Sequence, residues 1–142
     1  MAENRRELLA YLATLLGTVA GVITVVRTFI EIDITNYNEA ELPLIAIKEP
    51  RETPKTEMTS MRAMQDLEIQ LKVFFVVWGQ NPTDAYETLM KNIRNKLGND
   101  FTLGGYANKT LVKDVSSVFG EMPLYYFLMD LDSEYYLDQK SV

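Results

Sequence analysis

The sequence contains neither cysteine nor histidine. Without thiolates or imidazoles it has no zinc site of the usual ligand types, no Ser-His-Asp or Cys-His machinery, no haem ligation by histidine and no dithiol redox pair. The lack of cysteine fits a reducing cytoplasm and equally an extracellular domain held by packing alone. Basic charge is also short: 14 Lys and Arg stand against 20 Asp and Glu, a net charge of -6, so no global electrostatic footprint for gripping nucleic acid exists. Low-complexity tracts and internal repeats are absent too. What remains is 142 residues, 47% apolar and 24% charged, the profile of one globular domain. A chain of this size buries roughly 70% of its unfolded surface and needs neither disulfide nor metal.

From Leu8 to Val26 no charged residue occurs, which is about the length of a bilayer-spanning helix, and Arg5 and Arg6 precede it as in a signal peptide. Glu3 and Glu7 offset those arginines, and the residue chemistry changes midway. Glu7 to Leu16 is rich in Leu and Ala, whereas Val19 to Ile34 is rich in Val, Ile, Thr and Phe, with Gly17 at the break. The favoured reading is a buried helix followed by a strand over Val22 to Ile32, with no membrane partner. An export or membrane segment is the alternative.

Leu42 to Lys48 reads as a short strand with Pro43 near its start. Glu49 to Thr59, with Pro50, Pro54 and alternating charges, reads as a mobile surface connection. Asp66 to Trp78 is the clearest strand: Leu67, Ile69, Leu71, Val73, Phe75 and Val77 share one face, and Glu68, Gln70 and Lys72 the other. Beyond Lys72 the polar face turns apolar through Phe74, Val76 and Trp78, so either a helix of the same chain or a neighbouring subunit must cover it. Asn81 as N-cap and Pro82 at the first helical position open a helix with a stripe of Tyr86, Met90, Ile93 and Leu97, stopped at Gly98. A turn at Phe101 to Gly105 precedes two strands, Lys109 to Phe119 and Pro123 to Tyr136, joined through Gly120. The plan is α+β: a mainly antiparallel sheet of four to five strands with two helices packed on one side.

Chemistry-bearing constellations are sparse. Asp130, Asp132 and Glu134 share a strand face, and Glu68, Gln70 and Lys72 faintly resemble the strand-borne set of a metal-dependent nuclease, but each reads better as a solvated strand face. Lys91, Arg94 and Lys96 read as a helix surface, and Tyr125, Tyr126, Tyr135 and Tyr136 as packing or contact residues rather than a base-stacking platform. Gly104 and Gly105 lack the following Lys-Ser or Lys-Thr of a phosphate loop. No catalytic residue, metal or cofactor is expected. The outlying feature is apolar surplus: Phe74, Val76, Trp78, Met61 and Met64, with Met58, form the candidate subunit interface.

In ordered pattern the chain resembles the tail terminator proteins of long-tailed bacteriophages. The residues that carry the resemblance are an N-terminal helix leading into a strand, Leu42-Pro43-Leu44-Ile45-Ala46-Ile47, a charged loop before Asp66-Leu67-Glu68-Ile69-Gln70-Leu71-Lys72-Val73-Phe74, the helix opening Asn81-Pro82-Thr83-Asp84, the turn Thr102-Leu103-Gly104-Gly105, and two closing strands. The resemblance implies a non-enzymatic virion protein, assembled in the host cytoplasm. It would close into a ring, typically a hexamer, on the last ring of the tail tube, stop tube growth and present a surface to the head-tail connector. DNA would slide through without specific binding, which the acidic balance suits. The loop Glu49 to Gln65, with Arg51, Glu52, Lys55 and Glu57, would order against a neighbour or face the lumen, and the sheet would supply ring contacts. Another head-to-tail connector or neck protein, a small metal-dependent nuclease and a membrane-anchored binding module are the competing readings.

Overall fold

In a computed structural model, residues 4–28, 33–54, 62–79 and 81–138 are described. The long uncharged run near the N-terminus divides into two elements, as its change of chemistry predicts. Helix α1 (Asn4–Gly17) turns Leu8, Leu9, Leu12 and Leu16 inward, none more than 2% exposed. It ends where the Thr18 amide and hydroxyl both donate to the Leu15 carbonyl, satisfying an acceptor left over by the last turn. Strand β1 (Thr24–Thr28) follows. Among the described residues no helix is long and apolar enough to cross a membrane.

β1 pairs in parallel with β2 (Leu44–Lys48), from Thr24 against Leu44 to Thr28 against Lys48. The connection between them carries two 3-10 turns, Ile34–Asn36 and Glu39–Glu41. Residues 29–32, the far end of the first expected strand, lie outside the described residues. β2 is covered on both faces, which explains its uninterrupted apolar run Leu44-Ile45-Ala46-Ile47.

The centre of the sheet is a two-stranded ribbon. β4 (Arg62–Val76) and β7 (Leu124–Asp138) pair antiparallel along their whole length. On one flank β4 receives β2 and then β3 (Arg51–Pro54); on the other β7 receives β5 (Lys109–Val115) and β6 (Phe119–Glu121). Helix α2 (Thr83–Asn99) connects β4 to the 3-10 turn Leu103–Gly105. Leu89, Ile93 and Leu97 of α2 join the leucines of α1 over Leu67, Ile69, Leu71, Phe75, Phe127, Met129 and Leu131, so both helices lie on one face of the sheet.

The α+β class therefore holds, with the strand count corrected from four or five to seven among the described residues. The additional strands are short. Arg51–Pro54 belongs to the stretch expected to be a mobile connection, yet it is a strand in register with Gln65 to Glu68. Its pairing comes from the backbone ladder of β4, and Pro54 stands at the strand's end on a sheet edge, where a missing N–H costs little. The expected strand Lys109 to Phe119 divides into β5 and β6 around Ser116 and Ser117, after a bulge between Val112 and Asp114. At α2 the expected cap is displaced by one residue. Pro82 is the last non-helical position, and the Asn81 side chain still accepts from the Thr83 amide at 2.9 Å. Gly98 lies inside the helix rather than ending it.

A polar latch fixes α1 against the end of α2. The Asp100 carboxylate accepts from the Tyr11 hydroxyl and from the Gly104 amide. Gly104 has φ +67°, and a Cβ there would lie 2.6 Å from the Tyr11 ring, so the position requires glycine twice over. The Tyr11 hydrogen bond, with the Gly104 amide second, holds the Asp100 carboxyl below its ordinary value of 3.8. The same contact with Asp100 raises the Tyr11 phenol above 10.0. A lowered carboxyl pKa means that the unfolded chain takes up the proton first. The latch is then intact above about pH 4 and is lost as pH falls through the folded value. On the alkaline side the raised phenol contributes below about pH 10 and is lost above it. Asp100→Asn is expected to flatten the acid limb of stability below about pH 4 in urea titrations, and an unchanged slope would exclude this role.

Candidate assembly surface

The face of the sheet opposite the helices is divided along its length. Alternation on β4 sends Asp66, Glu68, Gln70, Lys72 and Phe74 to this face, and the register places Glu134, Asp132, Asp130, Leu128 and Tyr126 of β7 directly beside them. One end is thus a field of carboxylates and the other is apolar, with Lys72 at the boundary. The Lys72 ammonium lies 4.5 Å from the Tyr126 ring centroid and 5.4 Å from that of Phe74, a cation–π position that directs it toward the apolar end.

At the acidic end Asp130 accepts from Gln70 at 3.4 Å and Glu134 accepts from Asn108 at 2.6 Å. An open cleft of about 470 Å³ is walled by Arg51 of β3 and Lys113 of β5, with Glu68, Gln70 and Asp130 between them. Asp130, Asp132 and Glu134 do share a face, but among the described residues no group of three or more acidic side chains is placed to hold a metal ion. The Glu68, Gln70 and Lys72 set is separated by the turning of Lys72 toward the aromatic rings.

The apolar end has two layers. Phe74, expected at a subunit contact, is only 4% exposed: it packs with Leu44 and Ala46 beneath Val26, Ile34, Tyr37 and Leu42, a second small core. The chain itself covers this residue, using apolar side chains of β1 and of the connection from β1 to β2. Beyond it the surface opens. Val76, Leu124 and Tyr126 are half-buried, Phe119 stacks on Tyr126 with ring centroids 5.4 Å apart, and Met122 and Trp78 project into solvent, Trp78 with 71% of its surface exposed. The Val77 amide donates to the Pro123 carbonyl at 2.8 Å, which holds the end of β4 against the β6–β7 turn. The Trp78 indole N–H donates to the Glu39 carboxylate, and Glu41 and Glu121 complete an acidic rim.

Val76 and Trp78 are therefore brought together, joined by Phe119, Met122, Leu124 and Tyr126. Of these, Phe119 and Met122 flank a turn in the sequence, and no periodic pattern marks them as surface. Met64 is half-buried near the opposite end of β4, about 45 Å from Trp78 at strand rise, so it belongs to another region. Met61, Lys55 and Glu57 lie outside the described residues. Arg51 is exposed beside the acidic cleft, whereas Glu52 is held within the protomer: it accepts from the Tyr135 hydroxyl and lies 3.7 Å from Arg5, which also pairs with Glu49 at 2.6 Å. Burial first, and the Glu52 carboxylate second, raise the Tyr135 phenol well above its ordinary value.

No protein-family profile matches this chain, and no curated protein matches its sequence. The assignment of a role therefore stands on the residues and their arrangement.

Proposed function

We propose that the chain is a structural assembly protein of the tail terminator kind, working at the head-proximal end of a bacteriophage tail. Copies close into a ring on the end of the tail tube, stop its polymerisation and offer their far side to the head-tail connector. The observation that carries this reading is the apolar, acid-rimmed end of the sheet, where Trp78, Met122 and Phe119 are held in solvent by a rigid strand end and a braced turn. Monomeric domains seldom keep such a cluster exposed without a partner for it. The ordered motifs shared in pattern with tail terminators supply the kind of partner.

Termination by such a protein is geometric and needs no covalent step. A ring that matches the tube on one side and does not repeat the tube surface on the other ends a stack that would otherwise extend. Tail tube protein polymerised with this chain is expected to give tubes capped at one end and halted in length, seen by negative-stain imaging. Tubes that grow uncapped and unchanged in length would overturn the assignment.

A further inference from the structure

The acid-rimmed apolar end has a counterpart of opposite sign on the same chain. Between the C-terminal half of α2 and edge strand β5 runs a groove of about 370 Å³ walled by Arg94, Leu97, Phe101, Leu111 and Val112. Phe101 and Leu111 are 50% and 53% exposed, an apolar floor left uncovered by the described residues. The groove's own cation is Arg94; Lys91 is exposed one turn before it on α2, and Lys109 is exposed two residues before Leu111 on β5. One surface is a projecting tryptophan among carboxylates; the other is a recess among cations.

We infer that Trp78 of one copy seats in the Arg94–Phe101–Leu111 groove of the next, so that this chain associates head to tail. The inference rests on the assembly reading above and names the surfaces that assembly would use. A copy cannot satisfy itself. Leu111 stands in the same row of the sheet as Glu68, and Trp78 lies about ten residues further along that strand, about 30 Å away. Symmetric pairing is disfavoured for both surfaces, because two Trp78 ends would bring Glu39, Glu41 and Glu121 against their own copies, and two grooves would oppose their cations. Only the head-to-tail contact sets acid against base while burying both apolar patches, with the Arg94 guanidinium able to lie on the indole face. Such a heterologous contact, repeated, closes into a ring or runs on as a filament.

The test uses two exposed substitutions, Trp78→Glu and Arg94→Glu, each checked for unchanged melting and circular dichroism. In sedimentation velocity the native chain is expected to form species larger than a dimer as concentration rises. Each variant alone is expected to stay monomeric where the native chain assembles, a weakening of at least about 30-fold. An equimolar mixture retains one good contact and is expected to stop at dimers. If either variant assembles like the native chain, or the mixture stays monomeric, this contact is wrong while tube capping can still succeed. A native chain that stays monomeric at about 1 mM also overturns the inference, and the tube-length experiment then judges the terminator reading separately.

Discussion

Phe127→Ala is expected to remove about 3–5 kcal/mol of folding stability, the range for emptying a fully buried aromatic site. Phe127 is wholly inaccessible to solvent and sits where the sheet meets α2. Its ring stands edge-on to Tyr86 at 5.0 Å and near Phe75 at 6.2 Å. Tyr86 in turn donates its hydroxyl to the Ser116 carbonyl at 2.8 Å, so the same cavity loosens the joint between α2 and the β5–β6 connection. Against a total of about 5–15 kcal/mol for a domain of this kind, the loss should move the melting midpoint down by about 10–20 °C. Urea titration gives the number directly, and a change below about 1 kcal/mol would contradict the packing described for this residue.

A second large effect is expected from the smallest substitution, Gly120→Ala. Gly120 has φ +113°, and a Cβ there would stand 2.5 Å from the Leu124 carbonyl oxygen and 3.0 Å from the Tyr125 Cα. Both obstacles are backbone, which has little room to withdraw, and a strained residue of this type costs about 1–3 kcal/mol before any displacement of β6. Because β6 presents Phe119 and its turn presents Met122, the variant should also weaken self-association even where it remains folded. Melting and sedimentation measured on the same sample separate the two effects. A variant as stable and as associated as the native chain would show that the turn tolerates a side chain.

How much of this was legible in the sequence depended on whether an element declares itself by its own pattern. β4 does through its alternation from Asp66 to Val73, β7 through its long apolar and aromatic run, and α2 through its stripe, although Leu89 rather than Tyr86 or Met90 is the residue buried with Ile93 and Leu97. β3 and β6 do not. Arg-Glu-Thr-Pro and Phe-Gly-Glu carry no periodic signal, and they are strands because a long neighbour offers them a ladder. The parallel pairing of β1 with β2 is equally silent in the sequence, since pairing direction is set by how the connection between them crosses the sheet.

The candidate surface follows the same division. Trp78 and Val76 were readable as apolar residues on a face that is polar further back along the strand. Phe74 belongs to the same alternation, but its cover comes from Val26, Ile34, Tyr37 and Leu42, and nothing in the sequence shows that the connection from β1 to β2 folds over this end of the sheet. The groove below α2 could not be read at all. Arg94 and Leu111 are distant in sequence and become neighbours only when β5 takes its place at the sheet edge.

The central ribbon has a consequence for how the chain reaches this state. β4 and β7 pair residues about 50 positions apart where the ribbon starts, Val76 with Leu124, and over 70 apart where it ends, Arg62 with Asp138. Such wide separations place the rate of folding among the slower small domains, in the range of milliseconds to seconds. During synthesis β4 therefore leaves the ribosome well before its partner β7 exists, a delay of seconds at ordinary elongation rates. In that interval β4 can pair only with β2 and β3, and its other edge stays open to chaperones and to wrong pairing until residues 124–138 arrive.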